Sequence, residues 1–476
     1  MDFRRKLRPG RASAATILLL ASLSGCAQPH IERPELGMDL PQDWAETDPA
    51  PASLDLAGYW RLLNDPLLTE FVEAAAAYNL DLAQSAARLE QARAGLRGAR
   101  AGFLPQISAT GRSARDVGDF AQDDLQFSLG ADVAWEADLF GRIGSDVAAS
   151  EADLAAAGYS LADLQRLITG QVALSTISAR STALQLAIAR DTLVDQDENL
   201  QIARWRVQAG LVSSLDVEQA RGQRAQTAAS IPLLEGNLAA TANAISTLIG
   251  EPPGRVLALL QDTSEVPVPP ELAGFEAPAE VLRRRPDVRG AEASLIGSTA
   301  RIGVARAQLL PLVRLGGTLG SSTFGLGSLF DIISGNLFAS VSQLIFDGGR
   351  TRAQIDNAEA AAQGSLAAWR QSVLGALEEV ETAAVDVEKA RERVVIFEEA
   401  LDAASNSALL ARSQYQAGLT DFQNLLTSEN QLRAARNARV SAEAERASAF
   451  VRLTQALGGG WAPADYPLPV SDRIER

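Results

Sequence analysis

The chain repeats itself at a spacing of 208 residues. Ala209-Gly210-Leu211 matches Ala417-Gly418-Leu419, Gly141-Arg142 matches Gly349-Arg350, and Leu248-Ile249-Gly250 matches Ala456-Leu457-Gly458. Upstream the spacing is 206, as in Leu104-Pro105 and Leu310-Pro311 or Phe140 and Phe346, so two residues enter the second copy just before its Gly-Arg pair. A period this long means a duplicated domain-sized unit, not a solenoid of short repeats. The copies run over 66–250 and 278–458 and share one order. A helical stretch (66–102, 278–308) precedes two extended segments, a very long helical stretch, a break at Ala-Gly-Leu and a second long helical stretch. A Pro-rich segment, 251–277, links the copies, and 459–476 is a Gly- and Pro-containing tail.

The extended segments alternate strictly. Phe127, Leu129, Ala131, Val133 and Trp135 point one way, and Ser128, Gly130, Asp132, Ala134 and Glu136 the other. In the second copy Val313, Leu315, Gly317 and Leu319 oppose Arg314, Gly316 and Thr318. Leu337, Ala339, Val341 and Ile345 oppose Ser340 and Ser342. Period two with one small or polar face suits a barrel strand between lipid and water. It also suits a pair of hairpins on a soluble sheet. Gly-rich loops are expected at 111–123 and 320–336. Four strands per chain cannot close, and an open edge in lipid leaves backbone groups unsatisfied. Two chains would give eight strands, filled by side chains; three would give twelve and leave a lumen.

From Arg142 to about Val207, and from Arg350 to Gln416, no proline interrupts the sequence. At 1.5 Å per residue each run spans about 100 Å, more than any globular core needs. Val373, Leu377, Val380, Ala384 and Val387 are spaced as a heptad seam. A coiled-coil scaffold shares that seam but does not explain amphipathic strands directly before each long helix. Gly210 and Gly418 suit helix ends, and Ser213 and Asp421 offer N-caps for the returning helices. These turns lie at the far end of the long helices from the strands, where any gate would sit.

Composition narrows the function. One His and one Cys in 476 residues exclude a disulfide, a Cys/His zinc cluster and, unless His30 acts as base, a Ser-His-Asp triad. A net charge of −16 argues against a nucleic-acid partner. No cofactor or metal is expected, and enzyme is the weakest functional class. Residues 1–25 join a basic segment to a short apolar stretch ending in Leu23-Ser24-Gly25-Cys26, which resembles a bacterial lipobox. The resemblance implies cleavage before Cys26 and a covalent acyl lipid on it. Ala27 favours the outer membrane by analogy with Gram-negative sorting. Residues 26–65 then read as a lipidated N-terminal tether.

Several strings carry a wider resemblance. Arg283-Arg284-Arg285-Pro286-Asp287-Val288-Arg289 followed by Ala291-Glu292 resembles an RRPD signature. Leu139-Phe140-Gly141-Arg142 and Phe346-Asp347-Gly348-Gly349-Arg350 resemble strand-to-helix junctions. Tyr415-Gln416-Ala417-Gly418 resembles a helix-turn motif, and Ala456-Leu457-Gly458-Gly459-Gly460-Trp461 a C-terminal hallmark. Together they resemble the TolC-like outer-membrane efflux proteins, of the OprM/NodT lipoprotein type paired with RND pumps. The resemblance implies an α/β membrane protein and a homotrimer. Its twelve-stranded outer-membrane β-barrel, four strands per chain, would continue into a periplasmic α-helical coiled-coil barrel. Residues near 40–62, 251–276 and 459–476 would form a belt around it. The implied function is passage of drugs or other small solutes from an inner-membrane RND transporter and a periplasmic adaptor to the exterior. The alternative is export for an ABC-type (type I) secretion system.

The resemblance also places a ring of acids just past the second turn. Here its aspartate positions hold Asn424 and Thr427, and its following basic position Asn430, all neutral. Asp421 and Glu429 flank the site, and Asp216 and Glu218 lie in the first copy's turn; each also reads as a cap or a solvated helix acid. The expected gate relies on polar packing and on hydrophobic Leu425 and Leu426. The turns holding Gly210, Ser213, Gly418 and Thr420 are the expected adaptor contacts.

Overall fold

The structure, a computed structural model, describes residues 36–39, 41, 43–44, 55–115, 117, 125–261, 265–271, 278–324 and 326–462. Cys26 and the signal-like segment lie outside the described residues. A short 3-10 turn, Tyr59–Leu63, leads into helices α1 (Pro66–Tyr78) and α2 (Leu80–Ala101). Strands β1 (Gln106–Ala114) and β2 (Gln126–Ala137), then α3 (Arg142–Gln208) and α4 (Ser214–Leu248), complete the first copy. After α5 (Arg255–Gln261) the second copy repeats the order: α6 (Pro278–Arg284), α7 (Pro286–Ala307), β3 (Leu312–Thr323), β4 (Ser334–Ser342), α8 (Arg350–Gln416) and α9 (Phe422–Ala456). The linker between the copies thus contains a helix of its own.

The two long helices have 67 residues each, about 100 Å at 1.5 Å per residue. They carry the length of the molecule, and their partners change halfway. On the strand side α3 packs against α2 and α7, and α7 against α8; on the far side α3 packs against α4 and α9, and α9 against α8. One stretch of α3 is apolar enough to cross a bilayer, but 56% of it is buried inside the chain, which makes it interior packing.

The handover at mid-height explains two breaks that periodicity does not reveal. The stretches 66–102 and 278–308 are not single helices: each is interrupted, at Asn79 and at Arg285. Asn79 caps α2 through bonds from the Asp81 and Leu82 N–H groups, and its Nδ2 donates to the Leu248 carbonyl at 2.8 Å. Arg285, 206 residues on, donates from Nη1 to the Ala456 carbonyl at 3.0 Å. Leu248 and Ala456 are themselves repeat equivalents. Each copy therefore joins the end of its returning helix to the start of its short helix by one side-chain donor, which satisfies an orphaned helix-end carbonyl. The surrounding core holds Tyr59, Phe71, Val172, Ile177, Ile245 and Phe450. Of the heptad seam, Val373 and Val380 are buried, and Leu377, Ala384 and Val387 pack partly against Trp44, Val281, Leu453 and Leu457.

The four strands form one antiparallel sheet in the order β1-β2-β3-β4. Register settles the two faces. Ile107, Val133, Gly317 and Leu337 lie in one cross-strand row, Ala109, Ala131, Leu319 and Gly335 in the next, and Trp135, Leu315 and Ala339 in a third. Arg112, Ser128, Asp132, Arg314, Thr318, Asn336 and Ser340 share the opposite face. The apolar face is uncovered: Ile107, Leu319, Leu337 and Val341 are exposed. The loops are shorter than expected, because β1 runs through Ala114, β3 through Thr323, and β4 already begins at Ser334. Ile345 lies beyond β4. Phe338 stands on the polar face, over Gly316, where a Cβ would meet its ring at 2.5 Å.

A charge on the apolar face tests its assignment to lipid. Val133→Arg is expected to cost about 2–4 kcal/mol of membrane-inserted stability. The readout is the denaturation midpoint of the reconstituted protein. Ser128→Arg, on the polar face, is expected to leave that midpoint nearly unchanged.

Candidate functional site

The end of the bundle remote from the sheet is built from two equivalent turns. In the first, Gly210 takes φ 71°, its N–H bonds the Val207 carbonyl at 2.9 Å, and Leu211 N–H bonds the Arg206 carbonyl at 2.9 Å. In the second, Gly418 takes φ 75°, and Gly418 and Leu419 N–H bond the Tyr415 and Gln414 carbonyls. Both close as Schellman motifs, which need a left-handed residue where glycine bears no Cβ penalty. Ser213 Oγ then accepts from Leu215 N–H, and Asp421 Oδ1 from Asn424 N–H, so each caps the next helix as expected. Gly210, Ser213 and Gly418 are exposed and Thr420 is half-buried. Leu211 and Leu419 leave their side chains largely in solvent.

Behind the turns lies a small core of Leu200, Ala220, Ala411, Tyr415, Phe422, Leu425 and Leu426. Leu425 is wholly buried and Leu426 only 9% exposed within a single chain. This corrects the expectation that these leucines form a hydrophobic constriction. They face the neighbouring helices, because α9 turns that side toward α3, α4 and α8. Tyr415 packs on Phe422 with ring centroids 5.3 Å apart. The Arg206 guanidinium sits 4.3 Å over the Tyr415 ring, and Arg206 Nη1 donates to the Tyr415 carbonyl at 2.7 Å. The first copy's helix end thereby clamps the second copy's turn. Burial pushes the Tyr415 hydroxyl up, against the opposing Arg206 charge.

The candidate gate residues separate by face. Asp421, Asn424 and Thr427, spaced by three, form an exposed stripe. Asn424 Nδ2 donates to Thr420 Oγ1 at 3.0 Å, and Thr427 Oγ1 donates to the Gln423 carbonyl at 2.8 Å. Asp216 lies in the first turn of α4 near Tyr415, and exposed Glu218 pairs loosely with Arg221 at 3.8 Å. Glu429 belongs to a different group. Its two oxygens accept from Asn199 Nδ2 at 2.8 Å each, and Arg412 donates to it at 3.1 Å while lying 3.7 Å from Asp195. Glu429 is thus a strut joining α3, α8 and α9 rather than a free acid beside the stripe. Gln223 and Asn430, 2.6 Å apart, tie α4 to α9 in parallel. Nothing local in the sequence marks Asn199, Arg206 or Arg412. They meet Glu429 and Tyr415 only through helix pairing.

Burial pushes the Glu429 carboxyl above the ordinary glutamate range, and the bonds from Asn199 and Arg412 offset this only in part. A group whose native pKa is raised takes up a proton more readily when folded. Its contribution to stability therefore grows as pH falls through that raised value, and is complete below the unfolded value of about 4.3. Mild acid is therefore expected to raise, not lower, the contribution of this group to stability. Glu429→Ala, which frees three helices at once, is expected to raise single-channel conductance severalfold at pH 7. The double change Asn424→Asp with Thr427→Asp tests whether the exposed stripe faces the passage, through altered cation selectivity in the same recording.

The sequence profile described as outer membrane efflux protein matches residues 71–251 and 277–459. Nodulation protein T of Rhizobium leguminosarum bv. trifolii is 30% identical over 461 residues, covering 93% of this chain and 96% of the relative. The pyoverdine export outer membrane protein OpmQ of Pseudomonas aeruginosa is 30% identical, covering 86% and 88%. The solved outer-membrane channel OprN superposes with a TM-score of 0.82 at 32% identity, covering 90% of this chain and 99% of that one. The chain belongs to the outer membrane efflux protein family, and its fold is that of the TolC-like outer-membrane channels.

Proposed function

We propose that three copies of this chain assemble into one conduit. It receives drugs or other small solutes from an inner-membrane RND transporter through a periplasmic adaptor and releases them outside the cell. One observation carries the reading: a sheet with an uncovered apolar face continues directly into helices about 100 Å long. Among the described residues β1 pairs only with β2 and β4 only with β3. Each sheet thus offers two free edges, and edge-to-edge closure of three sheets gives a twelve-stranded barrel with a lumen. The polar face, with Arg112, Asp132 and Arg314, then lines water, and the apolar face meets lipid.

The long helices carry the passage inward across the periplasm. The exposed turns at Ser213 and Thr420, with Leu211 and Leu419 beside them, are the surfaces presented to the adaptor. Acylation of Cys26 would hold the N-terminus at the membrane. In this reading the chain performs no chemistry of its own. Energy comes from the pump, which also selects the cargo; the name of one relative specifies export of pyoverdine.

The test is capture of the partner. A photo-crosslinking residue replaces Ser213, cells are irradiated, and the captured protein is identified by mass spectrometry. An RND-type adaptor is the expected result. An ABC-type adaptor would move the reading to type I secretion. Capture of no periplasmic adaptor, with membrane location confirmed, would contradict the assignment of this turn.

A further inference from the structure

Next to the Glu429 strut, α3, α8 and α9 enclose a half-open cavity of about 190 Å³. Three guanidiniums line it, those of Arg412, Arg433 and Arg436, against two carboxylates, Asp195 and Glu429. The acids are already engaged. Glu429 accepts from Asn199 and Arg412, and Asp195 lies within ion-pair distance of Arg412. Arg433 and Arg436 have no carboxylate within 4.0 Å among the described residues. Arg433 Nε is buried there without an acceptor. The two stand three residues apart on α9 and so share a face. The lining thus carries one more positive charge than its two acids neutralise.

A second observation comes from the opposite wall. Gln196 on α3 is 5% exposed and lines the same cavity, and its Oε1 accepts no hydrogen bond. Unpartnered donors on one wall and an unpartnered acceptor on the other call for a ligand that supplies both. Paired guanidiniums match the oxygens of a phosphate or carboxylate in fork geometry. The Gln196 carbonyl needs an O–H in return. Hydrogenphosphate carries acceptor oxygens and a hydroxyl together; sulfate at neutral pH carries no proton.

We propose that this cavity is a phosphate-binding site, with Arg433 and Arg436 holding the oxyanion and Gln196 Oε1 accepting its O–H. The bound ion ties α9 to α3 beside the Glu429 strut. It therefore stabilises this packing of the helix ends over any arrangement that separates them.

The probe is inorganic phosphate, added to the full-length protein purified in detergent, with heat of binding and thermal midpoint as readouts. Saturable binding and a raised midpoint are expected for the wild type, with sulfate at matched ionic strength competing poorly. Arg436→Gln is the mild variant, since it breaks no ion pair, and is expected to weaken phosphate about tenfold, as for loss of one charge-assisted bond. The pair Arg433→Gln with Arg436→Gln is expected to abolish binding. Arg439→Gln, on the same helix but paired with Glu443, should leave it unchanged. Absence of phosphate binding to the wild type, or equal binding by wild type and Arg436→Gln, would overturn the site. Equal competition by sulfate would overturn the acceptor role of Gln196.

Discussion

Arg285→Ala is expected to destabilise the folded chain by about 1–3 kcal/mol, the cost of leaving a buried carbonyl and a half-buried carboxylate without their donor. The Arg285 side chain is 1% exposed and reaches three groups. It donates to Asp287 at 2.6 Å and to the Ala456 carbonyl at 3.0 Å, and it pairs with Glu379 at 2.7 Å. Truncation leaves the half-buried Asp287 carboxylate and the buried Ala456 helix-end carbonyl without their donor, at the joint between α7 and α9. Exposed Arg283, paired with Glu280, is the control, and Arg283→Ala is expected to cost under about 1 kcal/mol. Chemical denaturation read by circular dichroism measures both.

A pH dependence follows from the same pair. Burial alone would push Asp287 up, but the hydrogen bonds and charge of Arg285 outweigh it and hold the carboxyl below its ordinary range. A depressed pKa gives stability that is present above the unfolded value of about 3.9 and lost as pH falls through the lower native value. The wild type is expected to lose this increment below about pH 4. Arg285→Ala is expected to lack that step.

The second large effect is expected at Asp65. Its carboxylate caps α1 by accepting from Leu67 and Leu68 N–H, and it accepts from Arg180 of α3 at 3.1 and 3.2 Å. The side chains of Asp65 and Arg180 are 7% and 4% exposed. Asp65→Ala removes the cap, worth about 1 kcal/mol, and a carboxylate facing a buried guanidinium. The total is expected to reach about 3–5 kcal/mol. Asp65→Asn keeps the cap and loses the charge, and is expected to fall between. The duplication does not conserve this device. Positions 271 and 388, at the repeat spacings, are both glutamate, and Arg391 lies between them at 4.0 and 3.1 Å. The second copy therefore has only exposed ion pairs where the first has a buried one. Loss of Asp65 is not backed up by its repeat.

How much of this is readable before the structure depends on how local each signal is. Strand alternation fixes which residues share a face, and the register keeps Val133 with Ile107, Gly317 and Leu337 on that face. Glycine and cap residues mark the two helix turns because both signals act within four residues. The 206- and 208-residue spacings expose the duplication directly. The breaks at Asn79 and Arg285 are hidden, since one copy uses an amide and the other a guanidinium for the same carbonyl contact. The helix-end residues are harder still. Leu425, Leu426 and Glu429 look like neighbours of the exposed stripe in sequence, but the 3.6-residue turn rotates them onto the inner side of α9. There the partner Asn199 lies 230 residues away. A family motif gives position along such a helix, while packing decides which face meets the lumen.

The most direct measurement is disulfide cross-linking between the free edges of the sheet. Ser108→Cys on β1 and Ser340→Cys on β4 are introduced together, with each single variant as control. The cells are oxidised, and the products are sized on a denaturing gel. Closure of three sheets into one barrel predicts covalent dimers and trimers from the double variant, no higher species, and monomer from either single variant. A ladder that ends at dimer, or one that extends past trimer, would contradict a three-chain barrel.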